Sequence, residues 1–194
     1  MPVTRRWTTA DVRALTREDR PWPRYELIDG ELLVTPAPRT PHQIAAFELC
    51  RALDTYLERE RIGLAVMSPA DLEMKRGTIT QPDVFVIPAG IGIAGVMPEW
   101  TDVTSLLLAA EVLSPSSLRT DRIVKRDFYL ANGVAEYWIV DLDERMIERW
   151  TPVQETPVLC RGSITWTPLD REPLVIDLDA LFDRIEEKCR RIAR

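Results

Sequence analysis

Apolar and polar positions alternate in blocks that predict the first elements of the chain. Residues 25–38, YELIDGELLVTPAP, contain two short strand-like runs around Asp29 and Gly30, a pair of residues preferred in tight hairpin turns. Between residues 41 and 63, apolar positions recur near helical spacing and end in charged residues and a glycine. The pattern therefore predicts an N-terminal β-hairpin followed by a long amphipathic helix.

The middle of the chain predicts three strands and a second helix. Strands are expected at 64–75 and 81–87, the second entered through a proline. The run SLLLAAEVL, residues 105–113, is apolar almost without interruption, which is typical of a strand buried on both faces. A helix is expected from Thr120, as its N-cap, to about Asn132.

The last third adds further strands and a closing helix. Residues 136–150, EYWIVDLDERMIERW, predict two strands joined by a turn. Short strands are expected near 157–160 and 163–167, and an amphipathic helix is expected from about Leu178. These elements predict an α/β fold in which a central mixed β-sheet is flanked by helices.

Composition supports one folded domain. The chain has 194 residues, of which 45% are hydrophobic and 29% charged, and this length suits a single core. With no internal repeat and no long linker, we expect an N-terminal arm over residues 1–21 and one domain over residues 22–194. The stretch 89–102 is expected to be a loop.

Several classes of chemistry are excluded by what the sequence lacks. His42 is the only histidine, and the three cysteines show no CxxC spacing, so zinc sites built from several histidines or cysteines are not encoded. The motifs GxxxxGK[ST] and GxSxG are absent as well. Catalysis must then rest on carboxylates with a lysine or arginine beside them.

Charge and hydropathy limit the cellular location and the binding partners that we expect. The apolar runs are shorter than the roughly 18 to 20 residues that cross a bilayer, so no membrane association is expected and a cytoplasmic protein is predicted. A net charge of −6 argues against nonspecific coating of nucleic acid. It leaves room for a local basic groove at Arg119, Arg122, Lys125 and Arg126.

Glu111 is the unusual residue, because it lies inside the apolar strand 105–113 and a buried carboxylate needs a partner. Asp83 begins the preceding strand and Lys125 lies on the following helix, and consecutive strands are usually neighbours. Two carboxylates at one point suit Mg²⁺, with Mn²⁺ as a substitute. The alternatives are a structural pair for Asp83 and Glu111, and an exposed surface position for Lys125.

The segments TQPDVFVI, AAEVLSPSS and DRIVKRDFYLANGVAEYWIVD, together with YELIDGEL and PHQIAAFELCRAL, resemble the Uma2 family (DUF820) of proposed restriction endonucleases, a branch of the PD-(D/E)xK superfamily. The resemblance covers about residues 22–185. It implies a restriction-endonuclease-like core, Asp83 and Glu111 as magnesium ligands, and Lys125 as the catalytic lysine. The superfamily pattern places that lysine two residues after the acid, where this chain has Leu113, so Lys125 would reach the site from the helix.

Four further residues are weaker candidates. Glu31 is a candidate additional catalytic acid, or else a solvent-facing strand residue. His42 is a candidate for contact with substrate, or else a capping or packing residue. Asp121 and Tyr129 lie four residues either side of Lys125 and either orient it or belong to a solvated face.

Three functions remain open from the sequence. The first is a metal-dependent DNA endonuclease, expected as a homodimer because two strands must be cut. The second is an inactive nuclease-like module that binds or regulates. The third is a metal-dependent hydrolase of a small phosphorylated molecule.

Overall fold

The computed structural model describes residues 6–16, 22–91 and 99–193. Parts of the predicted arm (1–5 and 17–21) and of the predicted loop (92–98) lie outside the described residues. The helices are α1 (Thr9–Leu15), α2 (Thr40–Glu60), α3 (Arg126–Ala131) and α4 (Leu178–Ile192), and a π-helical segment, Thr120–Lys125, continues directly into α3. The strands are β1 (Arg24–Ile28), β2 (Glu31–Thr35), β3 (Gly63–Met67), β4 (Val84–Pro88), β5 (Leu108–Val112), β6 (Glu136–Asp141), β7 (Met146–Trp150), β8 (Val158–Cys160), β9 (Ser163–Trp166) and β10 (Leu174–Asp177).

Six strands form the central sheet in the order β3-β4-β5-β6-β7-β8. Within it β5 and β6 run parallel, and the other neighbouring strands pair antiparallel. The π-helical segment and α3 supply the crossover that a parallel pair requires. Strands β1 and β2 form a separate hairpin whose turn residues, Asp29 and Gly30, both have positive φ. The predicted mixed sheet, flanking helices and N-terminal hairpin are confirmed.

The sheet is covered on both faces. Helices α2 and α4 pack on one face around Leu53, Trp138 and Phe182. The hairpin and α3 cover the other face around Phe85 and Tyr129. Successive residues of a strand point to opposite faces, and Ala110 and Val112 join the first core while Ala109 joins the second. Glu111 therefore projects towards the hairpin and α3.

Three predicted boundaries change in the structure. The predicted strand 64–75 ends at Met67, and Leu72 forms an isolated bridge with Thr80. Strand 105–113 shortens to Leu108–Val112. Thr120 was predicted to be an N-cap, and this was wrong because Arg119 already has helical dihedrals.

Two elements were not predicted, β10 and α1. Helix α1 begins with a capping box between Thr8 and Asp11 and buries Val12 against Leu27 and Ile79. One buried valine in seven residues is too weak a periodic signal to reveal such a helix. No helix in the described part of the chain is long and apolar enough to cross a membrane.

Candidate active site

The pairing of β4 with β5 places the two predicted carboxylates together. Val84 lies opposite Ala110, so Asp83, one residue before β4, is level with Glu111. The backbone N–H of Val112 donates to Asp83 Oδ2 over 2.9 Å, which ties the loop before β4 to the end of β5. The structure thus brings Asp83 and Glu111 to the same end of the central sheet.

Lys125 reaches this point from the π-helical segment. Its Nζ lies 3.0 Å from Glu111 Oε1 and 2.8 Å from Glu26 Oε2, and its side chain is 6% exposed. The wide turn is closed by the N–H of Arg126 donating to the carbonyl of Asp121. Irregular π turns of this kind are frequent at functional sites. Lys125 therefore contacts Glu111 from the helical segment, while the position two residues after Glu111 is Leu113.

The acid that the hairpin contributes is Glu26 and not Glu31. Glu26 is 2% exposed, pairs with Lys125 through Oε2 and accepts the N–H of Gln81 at Oε1 over 2.8 Å. Glu31 lies exposed next to the turn of the hairpin and is not among the residues that line the cleft described below. The sequence carried a signal for Glu26, since it lies between Tyr25 and Leu27 as Glu111 lies between apolar neighbours.

His42, Asp121 and Tyr129 also lie at this site. His42 Nε2 is 3.0 Å from Asp83 Oδ2, so the histidine contacts a site carboxylate, a role that was not among those predicted for it. Asp121 is 2% exposed and Tyr129 is fully buried, both beside Lys125. They do not lie on a solvated face. Tyr137 fixes the backbone of Asp121 by donating its hydroxyl to the Asp121 carbonyl over 3.0 Å.

The pKa values of Asp83 and Glu111 are shifted in opposite directions. Burial raises the pKa of Glu111 well above its ordinary value, and although Lys125 opposes this, Asp83 adds to it. Burial would raise the pKa of Asp83 too, but the hydrogen bond and charge of His42, with help from Lys125, lower it. Burial also raises the pKa of Asp121 to about 6. Lys125 would lose basicity on burial, but Glu111 and Glu26 hold its pKa well above the ordinary value.

Asp83 and Glu111 each make their contacts with the described residues through a single carboxylate oxygen. Asp83 uses Oδ2 for Val112 and His42, and Glu111 uses Oε1 for Lys125. Asp83 Oδ1 and Glu111 Oε2 accept no hydrogen bond from the residues that the structure describes. Within those residues no group of three or more His, Cys, Asp or Glu side chains is arranged as a metal site. Mg²⁺ needs only one or two carboxylates when waters and substrate phosphates complete its shell, so this donor set fits it.

A cleft of about 680 Å³ opens onto these side chains. Asp83, Glu111 and Lys125 line it together with Glu26 and Asp121. Further lining residues come from the segment before α2 and from the turn after β5, and they include Pro36, Pro38, Arg39, Ser114, Ser116 and Ser117. The cleft gives a ligand direct access to the carboxylates.

The predicted basic groove is largely neutralised. Arg122 pairs with Glu148 over 2.5 Å and with Asp141 over 3.4 Å, and Arg126 pairs with Asp127. Lys125 points inward, which leaves Arg119 as the exposed member of the four. Phosphate binding along this helix therefore has less free positive charge than the sequence suggested.

Comparison with known proteins identifies the family. The profile of the Uma2 family, described as "Putative restriction endonuclease", matches residues 9–176. The chain belongs to the Uma2 family. The match includes α1, so the family region begins within the predicted N-terminal arm.

The Uma2 fold is also seen in a solved structure. The crystal structure of "a putative nuclease belonging to DUF820 from Anabaena variabilis ATCC 29413" superposes with a TM-score of 0.72 and 19% sequence identity. The superposition covers 92% of this chain and 99% of that chain. At this identity the similarity establishes a common fold. None of the curated proteins matches the chain.

Proposed function

We propose that this Uma2 protein is a metal-dependent endonuclease that hydrolyses phosphodiester bonds in DNA. The observation that carries the proposal is the pair of free oxygens, Asp83 Oδ1 and Glu111 Oε2, beside the ammonium of Lys125 in an open cleft. Membership of a family described as restriction endonucleases supports a nuclease-type function.

Asp83 and Glu111 would hold the metal, Mg²⁺ with Mn²⁺ as a substitute. Bound there, such an ion supplies a more acidic water and a Lewis acid at the phosphoryl oxygen. His42 and the N–H of Val112 occupy Asp83 Oδ2, so they hold the carboxylate with its other oxygen available. The surplus of acids over cations around Glu111 favours a divalent cation at this point.

Lys125 acts as a donor and not as a base. Its pKa is held well above the ordinary value by Glu111 and Glu26, so the amine stays protonated near neutral pH. An ammonium fixed in a cleft can hold a water molecule and stabilise negative charge that develops on the phosphoryl group. Glu26 positions it, because its second oxygen is fastened to the backbone of Gln81.

The proposal is tested by metal binding and by cleavage. A calorimetric titration with Mn²⁺ should show binding that is lost in Asp83→Asn and Glu111→Gln. Supercoiled plasmid and labelled oligonucleotides should be cut in Mg²⁺ or Mn²⁺, and cutting should stop in EDTA and in both variants. Glu31→Gln removes an equal charge from the exposed hairpin turn and should behave as wild type.

Two results would contradict the proposal. Cleavage that survives in Glu111→Gln would show that another nuclease contaminates the preparation or that another site is responsible. Metal binding without cleavage of any DNA form would favour an inactive binding module.

The cleft volume gives one specific reason to consider a second substrate class. A volume of about 680 Å³ falls within the range of small-molecule sites. A hydrolase of a small phosphorylated molecule would have its metal-dependent turnover inhibited by nucleotides and unaffected by DNA. Inhibition by DNA would support the endonuclease instead.

The expected homodimer stays a prediction. Sedimentation velocity over a range of protein concentrations, with and without a DNA duplex, tests whether two clefts assemble for two strands.

A further inference from the structure

Arg24 is a cation of the cleft that has no anionic partner among the described residues. Arg24 lines the cleft with Asp83 and Glu111, yet it forms no ion pair and no side-chain hydrogen bond within the described parts of the chain. Lys125, in contrast, pairs with Glu26 and Glu111. The guanidinium of Arg24 therefore presents its donors to the cleft.

The position of Arg24 is nevertheless fixed. Its guanidinium lies over the indole ring of Trp22, with Cζ 4.2 Å from the ring centroid, and Trp22 also lines the cleft. A cation over a tryptophan face is held by the ring quadrupole, which leaves the N–H groups at the edge of the guanidinium unoccupied. The backbone of Arg24 is anchored in β1 opposite Thr35.

The charge balance indicates what Arg24 would accept. Burial lowers its pKa, while the nearby charges of Asp83, Glu26 and Glu111 oppose that shift. An arginine side chain stays protonated in proteins, so the cleft retains a half-buried positive charge that is not paired with any acid in the described part of the chain. The planar fork of an arginine matches two oxygens of a phosphate.

We propose that Arg24, held over the ring of Trp22, binds a backbone phosphate of the DNA strand in the cleft, next to the phosphate that faces Asp83 and Glu111. The proposal rests on the nuclease function proposed above. A solely electrostatic role, in which Arg24 offsets the negative charge of the three acids, makes a different prediction. In that case, removing the charge of Arg24 would tighten metal binding and leave the number of phosphate contacts unchanged.

The experiment is a salt titration of DNA binding by fluorescence anisotropy. Wild type and Arg24→Gln are titrated against labelled single-stranded and duplex oligonucleotides at a series of NaCl concentrations, with Ca²⁺ replacing Mg²⁺ and strand integrity checked on gels. Loss of one phosphate contact should reduce the slope of log affinity against log salt by about 0.7 on a single strand or about 0.9 on a duplex. Affinity at low salt should fall about tenfold or more, as expected for a lost charge-assisted hydrogen bond.

A matched variant distinguishes the loss of a phosphate contact from the loss of one positive charge. Arg161→Gln removes the same charge at an exposed position that pairs with Glu144 and does not line the cleft, so its slope should equal that of wild type. Arg24→Lys should keep the wild-type slope but bind more weakly, because a lysine lacks the planar fork. If Arg24→Gln fails to fold, Arg24→Lys decides: an affinity equal to that of wild type overturns the proposal.

The outcomes distinguish the contact from the proposed activity. A wild-type slope and affinity in Arg24→Gln, in a protein that still cuts DNA, overturns the Arg24 contact and leaves the nuclease standing. An Arg24-dependent slope in a protein that never cuts DNA supports the contact and overturns the nuclease. No measurable affinity of wild type for either oligonucleotide at low salt overturns both.

Discussion

Glu48 and Glu111 are both buried glutamates, but the charges around them differ: cations surround Glu48, whereas acids predominate around Glu111. The carboxylate of Glu48, on α2, is fully buried and is met by Arg51 over 2.6 Å, by Arg184 of α4 over 3.4 Å and by Lys188 of α4. Burial would raise the pKa of Glu48, but Lys188 and Arg51 lower it below the ordinary value. Three cations thus satisfy one acid.

Glu111 has the opposite balance. One cation, Lys125, is shared between Glu111 and Glu26, while Asp83 and Asp121 add negative charge nearby. The pKa of Glu111 is therefore raised. The difference teaches that burial alone does not set the state of a carboxylate: three cations surround Glu48, whereas acids outnumber the cation that Glu111 contacts. Perturbed acids in a cleft are typical of functional sites.

The largest expected effect comes from removing Lys125, the cation that pairs with both Glu26 and Glu111. Lys125→Met should reduce the rate of metal-dependent cleavage about 10²- to 10³-fold, the usual cost of losing a donor to developing charge. It also leaves Glu26 and Glu111 without a counter-ion, so the free energy of unfolding should fall by about 3–5 kcal/mol. Cleavage assays and urea denaturation measure the two effects.

Lys75→Met is the control for Lys125→Met. Lys75 is half exposed and pairs with the exposed Asp29 over 2.6 Å, so its loss should change neither cleavage nor stability appreciably. Cleavage at the wild-type rate by Lys125→Met would show that the buried lysine serves only the fold.

The next largest effect is on the free energy of unfolding, which should respond differently when Glu48 and when Glu111 is neutralised. Glu48→Gln should lower the free energy of unfolding by about 1–3 kcal/mol, because three cations lose their anion but keep partial access to water. Glu111→Gln should leave the stability of the metal-free protein equal or raise it by about 1 kcal/mol, because it removes one of several crowded acids. Urea denaturation in EDTA measures both, and a larger loss in Glu111→Gln than in Glu48→Gln would invalidate the comparison.

Sequence reasoning succeeded where a local signal was strong. Glu111 stood out inside an apolar strand, and the Asp-Gly pair marked the hairpin. Glu48 gave no comparable signal, since a glutamate on an amphipathic helix is ordinary until α4 is known to pack against it. Glu26 and Lys125 likewise lie 99 positions apart in the sequence. Their pairing depends on how the hairpin packs against the helix, so no local pattern could predict it.

The pH dependence of stability should differ between Asp121, whose pKa is raised, and Glu48, whose pKa is lowered by cations. Asp121 has its pKa raised from 3.8 to about 6, so the folded protein retains this proton where the unfolded chain has lost it. The free energy of unfolding of wild type, relative to Asp121→Asn, should therefore fall as the pH rises from about 4 to about 6 and then level off. Urea denaturation of both proteins across this range measures it.

Glu48 should show the converse. Its lowered pKa stabilises the fold above the ordinary value of 4.5, and this stabilisation is lost as the pH falls through the lowered pKa. The difference between wild type and Glu48→Gln should consequently shrink in acid. Parallel curves for the Asp121 and Glu48 variants would contradict the assigned charge balance.

The smallest expected effect concerns Glu31, the acid that was a candidate from the sequence and lies exposed beside the hairpin turn. Glu31→Gln should change stability by less than about 0.5 kcal/mol, as is usual for exposed positions, and leave metal affinity and cleavage unchanged. Glu26→Gln, five residues away, should weaken the hold on Lys125 and reduce cleavage. Calorimetry with Mn²⁺ and plasmid cleavage on the two variants compare an exposed with a buried acid of the same hairpin. A stronger effect of Glu31→Gln would mean that the hairpin contributes Glu31 to the bound substrate, and that burial beside Lys125 is not what selects the functional acid.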